Sequence, residues 1–128
     1  DAVELAAYQW LAQSPYGVVS EAIGGSYQTE FARVSAHTGL PTVLGWGGHE
    51  AQWRGGSEEM GSRDPDIAAL YQTRDWNEAK SIINRYQIRY IYIGPSELRT
   101  YRVEETKFAA NLVRVFENSS VVIYEVPW

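Results

Sequence analysis

Ile88 to Ile93 reads Ile-Arg-Tyr-Ile-Tyr-Ile, and no other stretch constrains the fold so tightly. Its β-branched and aromatic residues are those of a central strand. The pattern before it is helical: Asp75 with Glu78 three residues on resembles a capping box, and Ala79, Ile82, Ile83 and Tyr86 keep helical spacing up to the strand. The pattern after it differs in kind. Leu112 to Phe116, then Glu117-Asn118-Ser119-Ser120, then Val121 to Val126 reads as an antiparallel hairpin.

The earlier part of the chain repeats the alternation of strand and helix. Val3, Ala6, Ala7, Trp10 and Leu11 recur at steps of three and four over Asp1 to Gln13, the spacing of one helix face, and Ser14-Pro15 ends that run. Tyr16 to Ser20 is a short strand, followed by a glycine-bearing loop, Glu21 to Tyr27. Gln28 to His37 can form a helix around Phe31 and Val34, and Thr42 to Gly45 gives a second strand. Gly55 to Arg63 is polar and reads as a flexible connection. Asp64-Pro65-Asp66 reads as a helix start, with Ile67, Leu70 and Tyr71 as its buried face. Short helical turns are expected through Leu98 and Tyr101 and over Lys107 to Asn111. Strands alternating with helices and closed by a hairpin predict an α/β fold: a three-layer domain with a mixed, mainly parallel sheet and a C-terminal β-hairpin.

With 128 residues, this is one domain spanning residues 1–128. A hydrophobic content of 45% and an aromatic content of 13% fit a globular chain and argue against disorder. The net charge of −5, with no basic stripe, argues against a nucleic-acid partner. No cysteine is present, which excludes disulfides and thiolate metal sites. No apolar run reaches the roughly 18 residues of a membrane span. The abrupt start at Asp1 in a helical pattern points to a fragment of something longer.

The densest chemistry follows the second strand. From Trp46 to Gly56 the chain holds two Trp and four Gly with His49, Glu50, Gln52 and Arg54, far more polar and aromatic groups than a connection needs. Loops at the carboxyl ends of strands are where open α/β sheets place binding groups, and glycines let the backbone approach a ligand. The expected recognition surface is therefore built from Glu21, Ser26, Tyr27 and Arg33 with Trp46, His49, Glu50, Gln52, Trp53 and Arg54. Two glycine-bearing bends leaving neighbouring parallel strands would bring these groups together at one rim.

Each feature has a plainer reading. His49 beside Glu50 could serve acid–base chemistry, but a metal site needs three or four ligands and the other histidine is His37. Ser26 follows two glycines without a nucleophile elbow, and Gly24-Gly25-Ser26 is either a phosphate cradle or a tight turn. Trp46 and Trp53 either pack inward or form a stacking platform for a sugar ring. Arg33, Arg54 and Arg63 either pair with acidic residues or grip an anion in a bidentate fork. No metal, no cofactor and no catalytic residue is predicted.

The runs Glu21 to Tyr27, Ala32 to Trp46 and His49 to Gly55 resemble the carboxyl-terminal soluble region of the YYY membrane proteins, large polytopic proteins related by appearance to the GT-C class of lipid-linked glycosyltransferases. Asp66 to Thr73, Tyr90 to Gly94 and Ile123 to Val126 also fit, whereas Gly47-Gly48 stands where a Pro-Gly pair is expected. The resemblance implies a domain on the extracytoplasmic side, anchored through its parent chain. Its partners would be the transmembrane part of that parent and a glycan or lipid-linked sugar. The isolated domain would bind an acceptor or glycan without catalysis; the alternatives are a structural module packing on the parent's membrane loops, and a small hydrolase using His49 and Glu50. A weaker similarity is to oligosaccharyltransferase catalytic subunits, through the order Trp10-Leu11, Ser14-Pro15 and Val18-Val19-Ser20. The acceptor-reading motif Trp-Trp-Asp-Tyr-Gly of those subunits is missing from Glu21 to Tyr27.

Overall fold

A computed structural model of the chain describes residues 2–22, 38–43 and 57–128. Among them, four strands form one mixed sheet: β1 (Val18–Ser20), β2 (Ile88–Ile93), β3 (Val113–Glu117) and β4 (Val122–Glu125), in the order β1-β2-β4-β3. β1 pairs with β2 in parallel, and β4 pairs antiparallel with both β2 and β3. The predicted strand from Thr42 to Gly45 is represented in the described part by a single parallel bridge, Val19 with Thr42. Among the described residues, parallel pairing is confined to the β1 side, and the C-terminal hairpin docks antiparallel on β2.

Five helices accompany the sheet among the described residues: α1 (Ala2–Ala12), α2 (Ser57–Gln72), α3 (Trp76–Tyr86), α4 (Pro95–Thr100) and α5 (Thr106–Asn111). Two apolar clusters lie on opposite faces. Ile91, Ile93 and Tyr124 pack with Ile67, Leu70 and Tyr71 of α2, Ile82 and Ile83 of α3, and Phe108 of α5. Tyr90, Tyr92 and Ile123 pack with Ala7, Tyr8 and Leu11 of α1. This is the expected three-layer arrangement, and strand alternation accounts for it.

Ile88 breaks the alternation by joining the α2 and α3 cluster. The register supplies the reason: Val18 faces Ile88 but Val19 faces Tyr90, so Arg89 is an extra residue that shifts parity. Just upstream, Gln87 ends α3 in the left-handed conformation, φ 54°, and its N–H donates to the carbonyls of Ile83 and Asn84.

α3 presents Ala79, Ile82, Ile83 and Tyr86 to the core, as its spacing predicts. Asp75 caps it by accepting from the N–H of Asn77 at 3.0 Å. Glu78 does not close the expected box on Asp75. It accepts from the Thr73 hydroxyl at 2.6 Å, and that hydroxyl accepts from the Asp75 N–H at 3.0 Å.

α2 corrects the reading of Gly55 to Arg63 as a flexible connection and of Asp64 as a helix start. The helix begins at Ser57 and runs through Pro65. Proline removes the bond its own N–H would have made and crowds the carbonyl one turn back, a local cost that this 16-residue helix carries.

The inward face of α1 is also rotated from the expected one. Ala6 is exposed, while Glu4, Ala7, Tyr8 and Leu11 are buried. Glu4 goes inward because its carboxylate accepts from two phenols, Tyr8 at 3.1 Å and Tyr92 at 2.8 Å. These bonds let a carboxylate occupy an apolar layer. Desolvation, and then the Glu4 carboxylate, hold the Tyr92 phenol well above its ordinary pKa, so it remains a donor.

Candidate functional site

β1 and β2 are parallel, so their carboxyl ends share one rim of the sheet. The segment ending at Thr42 joins them there, with the Val19 N–H donating to the Pro41 carbonyl at 2.9 Å. Ala22 and Val43, the points where the chain leaves β1 and the Thr42 bridge, are both buried in the same apolar cluster. The two glycine-bearing loops of the sequence therefore depart from neighbouring backbone segments. Ser26, Tyr27, Arg33, Trp46, His49, Glu50, Gln52, Trp53 and Arg54 lie outside the described residues. Glu21 is described, and it is 4% exposed.

Beneath these exits sits a buried polar frame that was not singled out in the sequence. Glu97 is fully buried. One of its oxygens accepts from the Ala22 N–H at 2.6 Å and the other from the Gly94 N–H at 2.8 Å. One carboxylate thereby ties the end of β1 to the end of β2. The sequence signal for it is local: Pro95 in the first turn of α4 and an acidic residue at its third position, reaching back to the residue before the helix. Gly94 suits this close approach, because a Cβ there would meet the Tyr92 ring at 2.9 Å.

Tyr71 of α2 completes the frame. Its hydroxyl lies 2.7 Å from the Tyr92 carbonyl and 2.9 Å from the Ser20 carbonyl, and it accepts from the Ser20 hydroxyl at 3.1 Å. Its ring stacks on Tyr101, with centroids 5.1 Å apart. Burial first, and the Glu97 carboxylate second, push its pKa well above the ordinary phenol value. It stays protonated and braces the two strand ends. A carboxylate and a phenol committed in this way hold backbone in place.

The backbone carbonyl of Tyr71 marks a second ionisable group missed in the sequence. The Lys107 ammonium, 6% exposed as a residue, donates to the Tyr71 carbonyl at 2.9 Å and the Glu104 carbonyl at 2.7 Å. Burial lowers its pKa to about 8, opposed by the Glu104 carboxylate. Among the described residues, no group of three or more His, Cys, Asp or Glu could hold a metal ion. Nor is any described helix long and apolar enough to cross a membrane.

The fold and the rim define an α/β domain of a known architectural type. It is similar to the C-terminal globular domain of an oligosaccharyltransferase from Archaeoglobus fulgidus, with a TM-score of 0.58 over 94% of each chain and 11% sequence identity. At that identity the likeness establishes the fold. No protein-family model matches the sequence, and no curated protein matches it.

Proposed function

We propose that this chain is an extracytoplasmic domain of a membrane glycosyltransferase-like protein of the YYY type. In this reading it binds an acceptor or a glycan through the loops after β1 and the Thr42 bridge, and does not catalyse alone. The observation that carries the reading is the adjacency of the two loop exits, Ala22 and Val43, at the carboxyl edge of parallel strands. Open α/β sheets bind ligands at that edge. The shared fold with an oligosaccharyltransferase domain supports the membrane setting. Ser26, Arg33, His49, Glu50, Gln52 and Arg54 would supply hydrogen bonds, and Tyr27, Trp46 and Trp53 the stacking surfaces, while the buried Glu21 would sit behind them. The test is a screen of glycans and polyprenyl phosphates followed by tryptophan fluorescence. Saturable quenching that disappears in Trp53→Ala supports the reading; no quenching by any member of the screen counts against it.

A second reading has its own support. Glu97 and Tyr71 spend their hydrogen bonds on backbone, and Glu21 is buried. That is the economy of a packing module whose loops rest on the parent's membrane loops. Unchanged fluorescence with every ligand, together with tight association between the domain and a membrane preparation of its parent, would favour it. A hydrolase using His49 and Glu50 would show itself as bound zinc on metal analysis or as turnover of a glycoside.

A further inference from the structure

The structure assigns a second, separate ligand site to the helical side of the molecule: a cleft between the start of α3 and α5 that fits one sugar ring. The cleft has a volume of about 390 Å³, within the range of roughly 300–1,000 Å³ usual for small-molecule pockets. Its lining includes Trp76, Arg74, Glu104, Thr106 and Asn111, with Lys107 also contributing.

The hydrogen-bonding capacity of these groups separates this cleft from the rim. The Glu104 side chain is 29% exposed, and its carboxylate makes only a loose ion pair, 3.7 Å from the Arg74 guanidinium. Arg74 is 85% exposed. Asn111 uses its amide N–H on the Lys107 carbonyl at 2.9 Å, and its side-chain oxygen brings acceptor capacity to the lining. Thr106 is exposed and brings a hydroxyl that donates and accepts.

Two acceptors, a forked donor and a hydroxyl beside an indole suit a polyol ring. Vicinal hydroxyls donate to Glu104 and Asn111 and accept from Arg74 and Thr106, while the C–H face of the ring rests on Trp76. Trp76 is partly buried against the α2–α3 core cluster, and the Trp128 ring meets it edge to face at 6.2 Å. Lys107 positions the site: its bonds to the carbonyls of Tyr71 and Glu104 hold the backbone that carries Glu104. This site stands on its own side chains and does not depend on the rim reading.

The test is a titration of the ¹⁵N-labelled domain with the methyl glycosides of glucose, galactose, mannose and N-acetylglucosamine. The indole N–H signals of Trp76 and Trp53 are followed together, and Glu104→Gln and Asn111→Ala are titrated alongside. The expected result is a saturable shift at Trp76, with a dissociation constant of roughly a millimolar for so small a ligand. Each variant should weaken binding about tenfold without changing the rest of the spectrum. A Trp76 signal that moves with no glycoside overturns the proposal, and so does undiminished binding in both variants. The Trp53 signal is read separately from that of Trp76, so either proposal can fail alone.

Discussion

The strand rim and the α3–α5 cleft hold similar residue types in opposite states. At the rim, Glu97 is buried, with both oxygens committed to backbone amides, and Tyr71 bridges two strand carbonyls. In the cleft, Glu104 is half-exposed, and the nearest partner of its carboxylate is 3.7 Å away. Buried polar groups cost stability unless fully bonded, so a saturated carboxylate marks scaffold; one with open acceptors marks a surface free to recognise something. The comparison teaches that residue type alone would have assigned both glutamates the same role.

The largest expected effect follows from the saturated side. Glu97→Ala leaves the buried N–H groups of Ala22 and Gly94 without their acceptor. At about 1–3 kcal/mol for each unsatisfied donor, the loss should be roughly 2–6 kcal/mol in urea unfolding. A loss below about 1 kcal/mol would erase the contrast with the cleft.

Lys107 lies between the two regions and gives a pH signature. Its folded pKa of about 8 is below the ordinary lysine value of 10.5. Between those values the unfolded chain binds more protons, so this residue makes stability rise with pH from about 8. Tyr71, Tyr90 and Tyr124 have pKa values raised above 10.0, which reverses the slope at higher pH. Thermal melts between pH 8 and 10 should therefore show a rising Tm, and Lys107→Met should flatten it. The Tyr71 carbonyl keeps the Glu104 N–H at 2.8 Å in that variant, so the fold survives the change. The smallest effect belongs to the open side: Glu104→Gln should change stability by less than about 0.5 kcal/mol, as expected for a loose surface pair.

The parts legible in the sequence are those set by periodicity. The buried face of α3, the strand Ile88–Ile93 and the hairpin around Asn118 follow from apolar spacing and turn chemistry. The hairpin turn is held by the Asn118 side-chain oxygen, which accepts from the N–H groups of Ser120 and Val121. What was not legible depends on partners distant in sequence. Glu4 turns inward for Tyr92, 88 residues away, and Glu97 reaches Ala22 across 75 residues. The local signal at the start of α4 accounts for the Glu97 bond to Gly94, but no local pattern announces these distant partners. The α2 start was misplaced because Pro65 is a strong local stop signal that a long helix can carry. Of the candidate ligand residues, Glu21 is placed by the structure, deeper than a contact residue on an open surface would be.

The central claim is that the loops leaving Ala22 and Val43 meet a ligand while the frame beneath them stays fixed. The five tryptophans of the chain give separate indole reporters for it. Trp10 serves as the internal control, packed against Tyr90 and Phe116 on the α1 face. The deciding measurement is a titration of the ¹⁵N-labelled domain with a short-chain polyprenyl-phosphate sugar. The expected result is a saturable shift of Trp46 and Trp53 with Trp10 unmoved. Indole signals that all stay still, or that all move together, would contradict the account.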